Sequence, residues 1–145
     1  MKNAIVTGAS NGIGLEISKK LTENNYYVGM IDIDKENLIK ESEKIHNTIP
    51  IEGDVTNEES IKNALKTFNK TPDLIVNNAG IVIFGSLEEQ SVEDFKKSVD
   101  VSLIGSYLVS RLSIEAMIKK KSGCIINMSS INGVHPGPGT GGYPP

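Results

Sequence analysis

The sequence predicts an α/β fold: a doubly wound parallel sheet with helices on both faces. Three observations carry this expectation. Five short apolar runs alternate with segments of helical spacing. A glycine-rich turn, Thr7-Gly8-Ala9-Ser10-Asn11-Gly12-Ile13-Gly14, joins the first run to the first helical segment. Polar and glycine motifs recur at the carboxyl ends of later runs. Crossovers between parallel strands are right-handed, so such alternation stacks helices on both sides of one sheet. No internal repeat or linker divides the chain, and residues 1–145 read as one domain.

Residues 4–6 are short, continuous and apolar, as in a strand buried on both faces. Strand, glycine turn and helix together aim backbone N–H groups and a helix N-terminus at one point, which suits a phosphate. After the turn, Ile13, Ile17 and Leu21 recur at i, i+4 and i+8, the buried stripe of a helix, with Lys19, Lys20 and Glu23 on its other faces. Asn24-Asn25 closes that helix, and residues 27–31 form the second strand, stopping at Asp32. Asp32 lies eighteen positions after Gly14, close to the ~20 expected of a carboxylate that accepts hydrogen bonds from an adenosine ribose. The same charge repels a 2′-phosphate, and neither Ile33 nor Asn11 supplies a compensating cation, so the residues favour NAD over NADP.

Residues 35–46 read as a second helix with Leu38, Ser42 and Ile45 inward, and residues 49–52 as a third strand followed by Gly53-Asp54-Val55. Thr56 with Glu59 has the form of a capping box, opening a helix that buries Ile61, Leu65 and Phe68. Residues 73–76 are the fourth strand, ending in Asn77-Asn78-Ala79-Gly80. A long helical pattern runs over residues 91–121, interrupted at Gly105 and closed by Gly123. Residues 124–128 form the fifth strand, with Ser129-Ser130 at its carboxyl end, and residues 133–145 are dense in glycine and proline, hence loop.

Composition narrows the function classes. Hydrophobic residues make up 38% and charged residues 23%, as in ordinary globular proteins, and the net charge of −3 favours neither nucleic acid nor an anionic membrane surface. No uninterrupted apolar run approaches the ~20 residues of a membrane span. The N-terminus enters a strand almost at once, leaving no room for a signal peptide. The single Cys124 cannot form an internal disulfide and reads as a small buried residue; together these features point to the cytoplasm. His46 and His135 have no partners at ligand spacing, so no metal site is expected, and Lys119-Lys120-Lys121 reads as a solvated helix end.

In doubly wound sheets, ligands bind beyond the carboxyl ends of the strands, where strand order reverses. The glycine turn, Asp32, Asp54, Asn77-Asn78-Ala79-Gly80 and Ser129-Ser130 all fall at such ends by strand phasing alone. Four motifs now stand in order: Thr7-Gly8-x-x-x-Gly12-x-Gly14, Gly53-Asp54-Val55, Asn77-Asn78-Ala79-Gly80, and Ile126-Asn127-Met128-Ser129-Ser130 followed by Tyr143. With them the chain resembles the short-chain dehydrogenase/reductase family over essentially its whole length.

The resemblance implies a Rossmann-like domain with five strands present and the C-terminal strands missing. It implies an oxidoreductase moving a hydride between NAD and a small-molecule alcohol/carbonyl substrate. Gly8, Gly12, Ile13 and Gly14, with Ser10 and Asn11 of the same turn, would cradle the pyrophosphate, and Asp32 would bind the adenine ribose. Asp54 and Val55 would sit beside the adenine, while Asn78, Ala79 and Gly80 would support the cofactor and the central strand. Ser130, thirteen positions before Tyr143, matches the catalytic serine, and Tyr143 the catalytic tyrosine. A phenol has an ordinary pKa of about 10 and needs a nearby cation to work near neutral pH.

Two departures stand beside the match. The family's Tyr-x-x-x-Lys has no lysine here, where the sequence reads Tyr143-Pro144-Pro145, and Ser102 occupies the family's usual asparagine position in Val101-Ser102-Leu103-Ile104-Gly105. A serine hydroxyl is shorter and cannot make the same set of hydrogen bonds. The expectation is therefore an N-terminal fragment of a dehydrogenase, inactive as given. The alternatives are a non-catalytic dinucleotide-binding remnant and a Rossmann-like domain for another nucleotide. The fifth strand should have an unpaired edge, leaving the polypeptide poorly soluble or marginally folded alone. The helix through Tyr107, Leu108, Arg111 and Met117 is a candidate interface for a homo-oligomer of the full-length form, as in relatives. Residues 81–86 and 131–140 are small or apolar and do not specify a substrate.

Overall fold

A computed structural model describes residues 1–135, 137 and 139. Strands and helices alternate as β1 (Lys2–Thr7), α1 (Gly12–Glu23), β2 (Tyr26–Asp32), α2 (Lys35–Ser42), β3 (Thr48–Glu52), α3 (Glu58–Phe68), β4 (Leu74–Asn77), α4 (Val92–Val99), α5 (Gly105–Lys120) and β5 (Cys124–Asn127). A π-helical turn, Asp100–Ile104, joins α4 to α5, and a 3₁₀ turn, Ile131–Gly133, follows β5. All strand pairings are parallel, in the order β3-β2-β1-β4-β5. Strand order therefore reverses between β1 and β4, and the crevice beyond their carboxyl ends is the natural ligand position.

Side chains alternate across each strand, which divides the core in two. Ile5, Ile31, Ile51 and Ile75 pack on Ile61, Ala64 and Phe68 of α3 and Val109 and Met117 of α5. Ala4, Val6, Val28, Met30 and Val76 face the other way, onto Leu15 of α1 and Leu38 of α2. This is the doubly wound arrangement that the alternation predicts. One electrostatic staple fastens the far end of the sheet: Asp73, just before β4, accepts from the Asn3 backbone N–H at 2.8 Å and forms an ion pair with Lys120 at the end of α5.

Several local expectations are corrected. The buried face of α1 is Gly14, Leu15 and Ser18; Ile17 and Leu21 pack at its margin, and Ile13 is 64% exposed. Helix α2 ends at Ser42, four residues before His46. Asn57, not Thr56, caps α3, accepting from the Ser60 N–H, while Thr56 turns back to Asp54. Gly105 does not break the long helical run. It follows the π turn, and a Cβ there would stand 2.7 Å from Val55 Cγ2, so the site needs a residue without one. The left-handed cap of α5 is Lys121, with φ 56°, rather than Gly123. Cys124 is exposed, because β5 has a strand partner on one side among the described residues.

The continuous helical run Val92–Lys120 is long and apolar enough, by length and composition, to cross a membrane. Here Val109, Ser113 and Met117 of that run are buried against the sheet, while Tyr107, Ile114 and Ile118 are exposed.

Candidate functional site

The site is assembled from backbone first. At the end of β1, Thr7 Oγ1 accepts from the backbone N–H groups of both Asn78 and Ala79, each at 3.0 Å. The Asn78 side-chain amide donates in return to the carbonyl oxygens of Thr7 and Gly8, at 3.0 and 3.1 Å. The glycine turn is thus bound to the end of β4. Gly14 closes the turn from the other side: a Cβ there would lie 2.1 Å from the Gly8 carbonyl oxygen.

The first turn of α1 has no side-chain cap, since Asn11 directs its amide to Ser10 Oγ at 3.2 Å. Gly12 has φ +52°, with nothing within 4 Å of a notional Cβ. Uncapped N–H groups beside an open glycine leave both hydrogen bonds and room for a phosphate.

Asp32 is fixed at the end of β2 by two backbone donors, Ser10 N–H to Oδ2 at 2.9 Å and Asp34 N–H to Oδ1 at 3.0 Å. Each oxygen keeps acceptor capacity for a hydroxyl. Asp54 is held after β3 by the N–H and hydroxyl of Thr56, both onto Oδ1, and Val55 is buried beneath Gly105.

A cleft of about 450 Å³ opens at this point. Its wall brings together Gly8, Asn11 and Ile13 of the turn, Asp32, Asp54, Val55, and Asn78, Ala79 and Gly80. Of the residues expected at the cofactor, Ser10, Gly12 and Gly14 are not in that wall. Ser10 is fully buried and acts through its backbone on Asp32, and Gly14 is buried under Gly8. Sequence reasoning missed Ile31, Lys97 and Val101, which line the cleft together with Gly53, Ile33 and Ile81. Lys97 and Val101 are spaced i, i+4, a signal that both share a helical face.

Neither of the two expected catalytic serines is in that wall. Ser102 sits in the π turn with its hydroxyl buried and unpartnered among the described residues, and its carbonyl accepts from Ser106 Oγ at 2.7 Å. A Cβ on Gly80 would lie 3.7 Å from that hydroxyl, so Ser102 borders the cleft region. Ser130 caps the 3₁₀ turn, its Oγ accepting from the Asn132 N–H at 3.2 Å, and it is not in the cleft wall. Tyr143 lies outside the described residues. At the end of β4 the Asn77 amide donates to Ser110 Oγ at 2.9 Å and to Asn127 Oδ1 at 2.7 Å. Among the described residues no group of three or more His, Cys, Asp or Glu side chains could hold a metal ion.

The residues present fit a dinucleotide. An uncapped helix N-terminus faces an open glycine, and a carboxylate with spare acceptor capacity stands at the end of the neighbouring strand. The family model described as short chain dehydrogenase matches residues 2–144. An uncharacterized oxidoreductase of Thermotoga maritima is 37% identical over 139 residues, covering 92% of this chain and 55% of the relative. A probable NADP-dependent dehydrogenase of Haemophilus influenzae is 34% identical, covering 97% of this chain and 58% of its own length. The crystal structure of a 3-oxoacyl-[acyl-carrier protein] reductase with bound NAD from Brucella melitensis superposes with a TM-score of 0.92 at 27% identity, over 97% of this chain and 57% of that one. The chain spans a little over half the length of these relatives.

Proposed function

The chain belongs to the short chain dehydrogenase family, and from that premise we propose that it is the dinucleotide-binding part of an NAD-dependent oxidoreductase acting on an alcohol/carbonyl pair. The observation that carries the reading is the shared wall of one cleft. Gly8, Asn11 and Ile13 of the glycine turn, Asp32, Asp54 and residues 78–80 meet there at the switch point of the sheet. Asp32 accepts hydrogen bonds from the adenosine ribose, and its charge disfavours a 2′-phosphate, so NAD binds more tightly than NADP. The Haemophilus influenzae relative carries an NADP-dependent name and the Brucella melitensis reductase holds NAD, so the carboxylate at position 32 is the local determinant for this chain.

A bound nicotinamide supplies the hydride acceptor or donor. Ser130, whose oxygen already accepts from the Asn132 N–H, keeps its own O–H to donate to the substrate oxygen. Tyr143 holds and releases the proton at that oxygen, and Ser102 takes the asparagine's place beside Gly80. The full-length protein is a cytoplasmic homo-oligomer that uses the exposed face of α5, where Tyr107, Ile114 and Ile118 carry apolar surface to solvent, whereas Met117, expected at that interface, is buried against the sheet.

Calorimetric titration with NAD and NADP, with and without Asp32→Ala, tests this reading. Tighter binding of NAD, weakened about tenfold by the substitution, supports it. An unchanged NAD affinity removes Asp32 from the ribose site. NAD binding with no turnover of any alcohol or carbonyl in a chain extended to the length of its relatives favours a non-catalytic dinucleotide-binding protein.

A further inference from the structure

Two carboxylates, Asp32 and Asp54, stand in the cleft wall, and among the described residues Lys97 is the one cationic side chain that lines the same cleft. We propose that Lys97 is a specificity-determining residue: its ammonium offsets Asp32 and lets the cleft accept a 2′-phosphorylated dinucleotide. The proposal rests on the dinucleotide reading above and concerns how sharply that site discriminates.

Lys97 lies on α4, one turn before Val101, and both line the cleft, so this helical face overlooks it. Among the described residues the ammonium has no hydrogen-bond or ion-pair partner. Among the described residues no ion pair joins it to Asp32 or Asp54 of the wall, nor to Glu93, Asp94 or Asp100 on its own helical run, and Asp94 is engaged by the Ser91 hydroxyl at 2.8 Å. A lysine without a partner, at the mouth of a cleft, keeps its charge for a ligand. Its long flexible stem and three donors suit a phosphate met as a point charge.

The positions beside Asp32 offer no free cation for a 2′-phosphate. Ile33, next to Asp32, is 70% exposed and apolar, Asn11 directs its amide to Ser10 Oγ, and Lys35 at the start of α2 is paired with Glu52 at 2.8 Å. A dianionic 2′-phosphate would add its charge beside Asp32, and Lys97 is the group in the wall that opposes it. NAD lacks that phosphate and gains little from the same ammonium. The resulting site prefers NAD but does not exclude NADP.

The experiment is calorimetric titration of the purified chain, wild type and Lys97→Gln, with NAD and NADP at low and at physiological salt; thermal melts verify that the variant folds. Lys97→Gln is expected to weaken NADP about tenfold while NAD changes less than twofold, and the wild-type NADP affinity falls more steeply with salt. Parallel weakening of both ligands overturns the proposal, because Lys97 then acts on a part they share. No change in either also overturns it. If the wild type binds neither dinucleotide, the dinucleotide reading fails and this inference with it; if it binds NAD and the substitution is unselective, this inference alone fails.

Discussion

Gly14 lies so close beneath Gly8 that a Cβ on Gly14 would stand 2.1 Å from the Gly8 carbonyl oxygen and 2.5 Å from the Asn78 amide nitrogen. The first turn of α1, the end of β1 and the loop after β4 therefore share one contact, and the shape of the cleft depends on it. Gly14→Ala should destabilise the fold by about 3 kcal/mol or more, since the obstacle is backbone rather than a movable side chain. Gly12→Ala has open space and only its positive φ to contend with, and should cost about 1 kcal/mol. Denaturant titration of the two variants checks the contrast, and equal losses would contradict it.

Asn78 is the bracket between the two strands. Removing its amide in Asn78→Ala leaves the Thr7 and Gly8 carbonyls without a donor each, and should cost about 1–3 kcal/mol. Asn78→Asp should cost more, because it sets a carboxylate oxygen against two carbonyl oxygens. Urea midpoints at neutral pH order the three proteins, and an Asp variant as stable as wild type would refute the bracket.

Asp73 gives the fold a pH dependence with a definite sign. The hydrogen bond from the Lys120 ammonium, then that from the Asn3 N–H, hold its carboxyl below the ordinary 3.8. Its folded pKa is depressed, so its contribution is present above the unfolded value and lost as pH falls through the lower folded value. Lys120 is partly exposed and the pair is screened, so the contribution is about 1 kcal/mol. The stability gap between wild type and Asp73→Asn should be full at pH 7 and shrink below about pH 4. A gap that widens on acidification would reverse the assignment.

Ser102 separates stability from chemistry. Its hydroxyl is buried and unpartnered among the described residues, so Ser102→Ala should change stability by less than about 0.5 kcal/mol. If the hydroxyl serves the reaction, turnover in a chain extended to the length of its relatives falls while the melting temperature holds. Unchanged turnover assigns Ser102 no part in proton movement.

Much of the fold was legible because its signals are local. The apolar run at residues 4–6, the glycine turn and Asp32 at the end of the next strand each follow from the period of a strand or the freedom of a glycine, and the five-strand parallel sheet has them there. Where neighbours compete over a few residues, the reading slipped. Ile13 fits an i, i+4, i+8 stripe with Ile17 and Leu21, yet α1 turns Leu15 to the sheet because Gly14 must meet Gly8. The caps at Asn57 and Lys121 displaced Thr56 and Gly123 by one or two residues, since Asp54 claims the Thr56 hydroxyl and Lys121 adopts the left-handed conformation itself.

By itself, then, the sequence determined the alternation of strands and helices, the phosphate-suited turn, and the carboxylate that follows it, because each is written in residues adjacent along the chain. Tertiary structure alone decided that Lys97 lines one cleft with Asp32 and Asp54, that Gly105 must lack a Cβ beside Val55, and that Cys124 lies on an exposed strand. Those are relations between residues tens of positions apart, fixed by how helices settle on a sheet, and no local period encodes them.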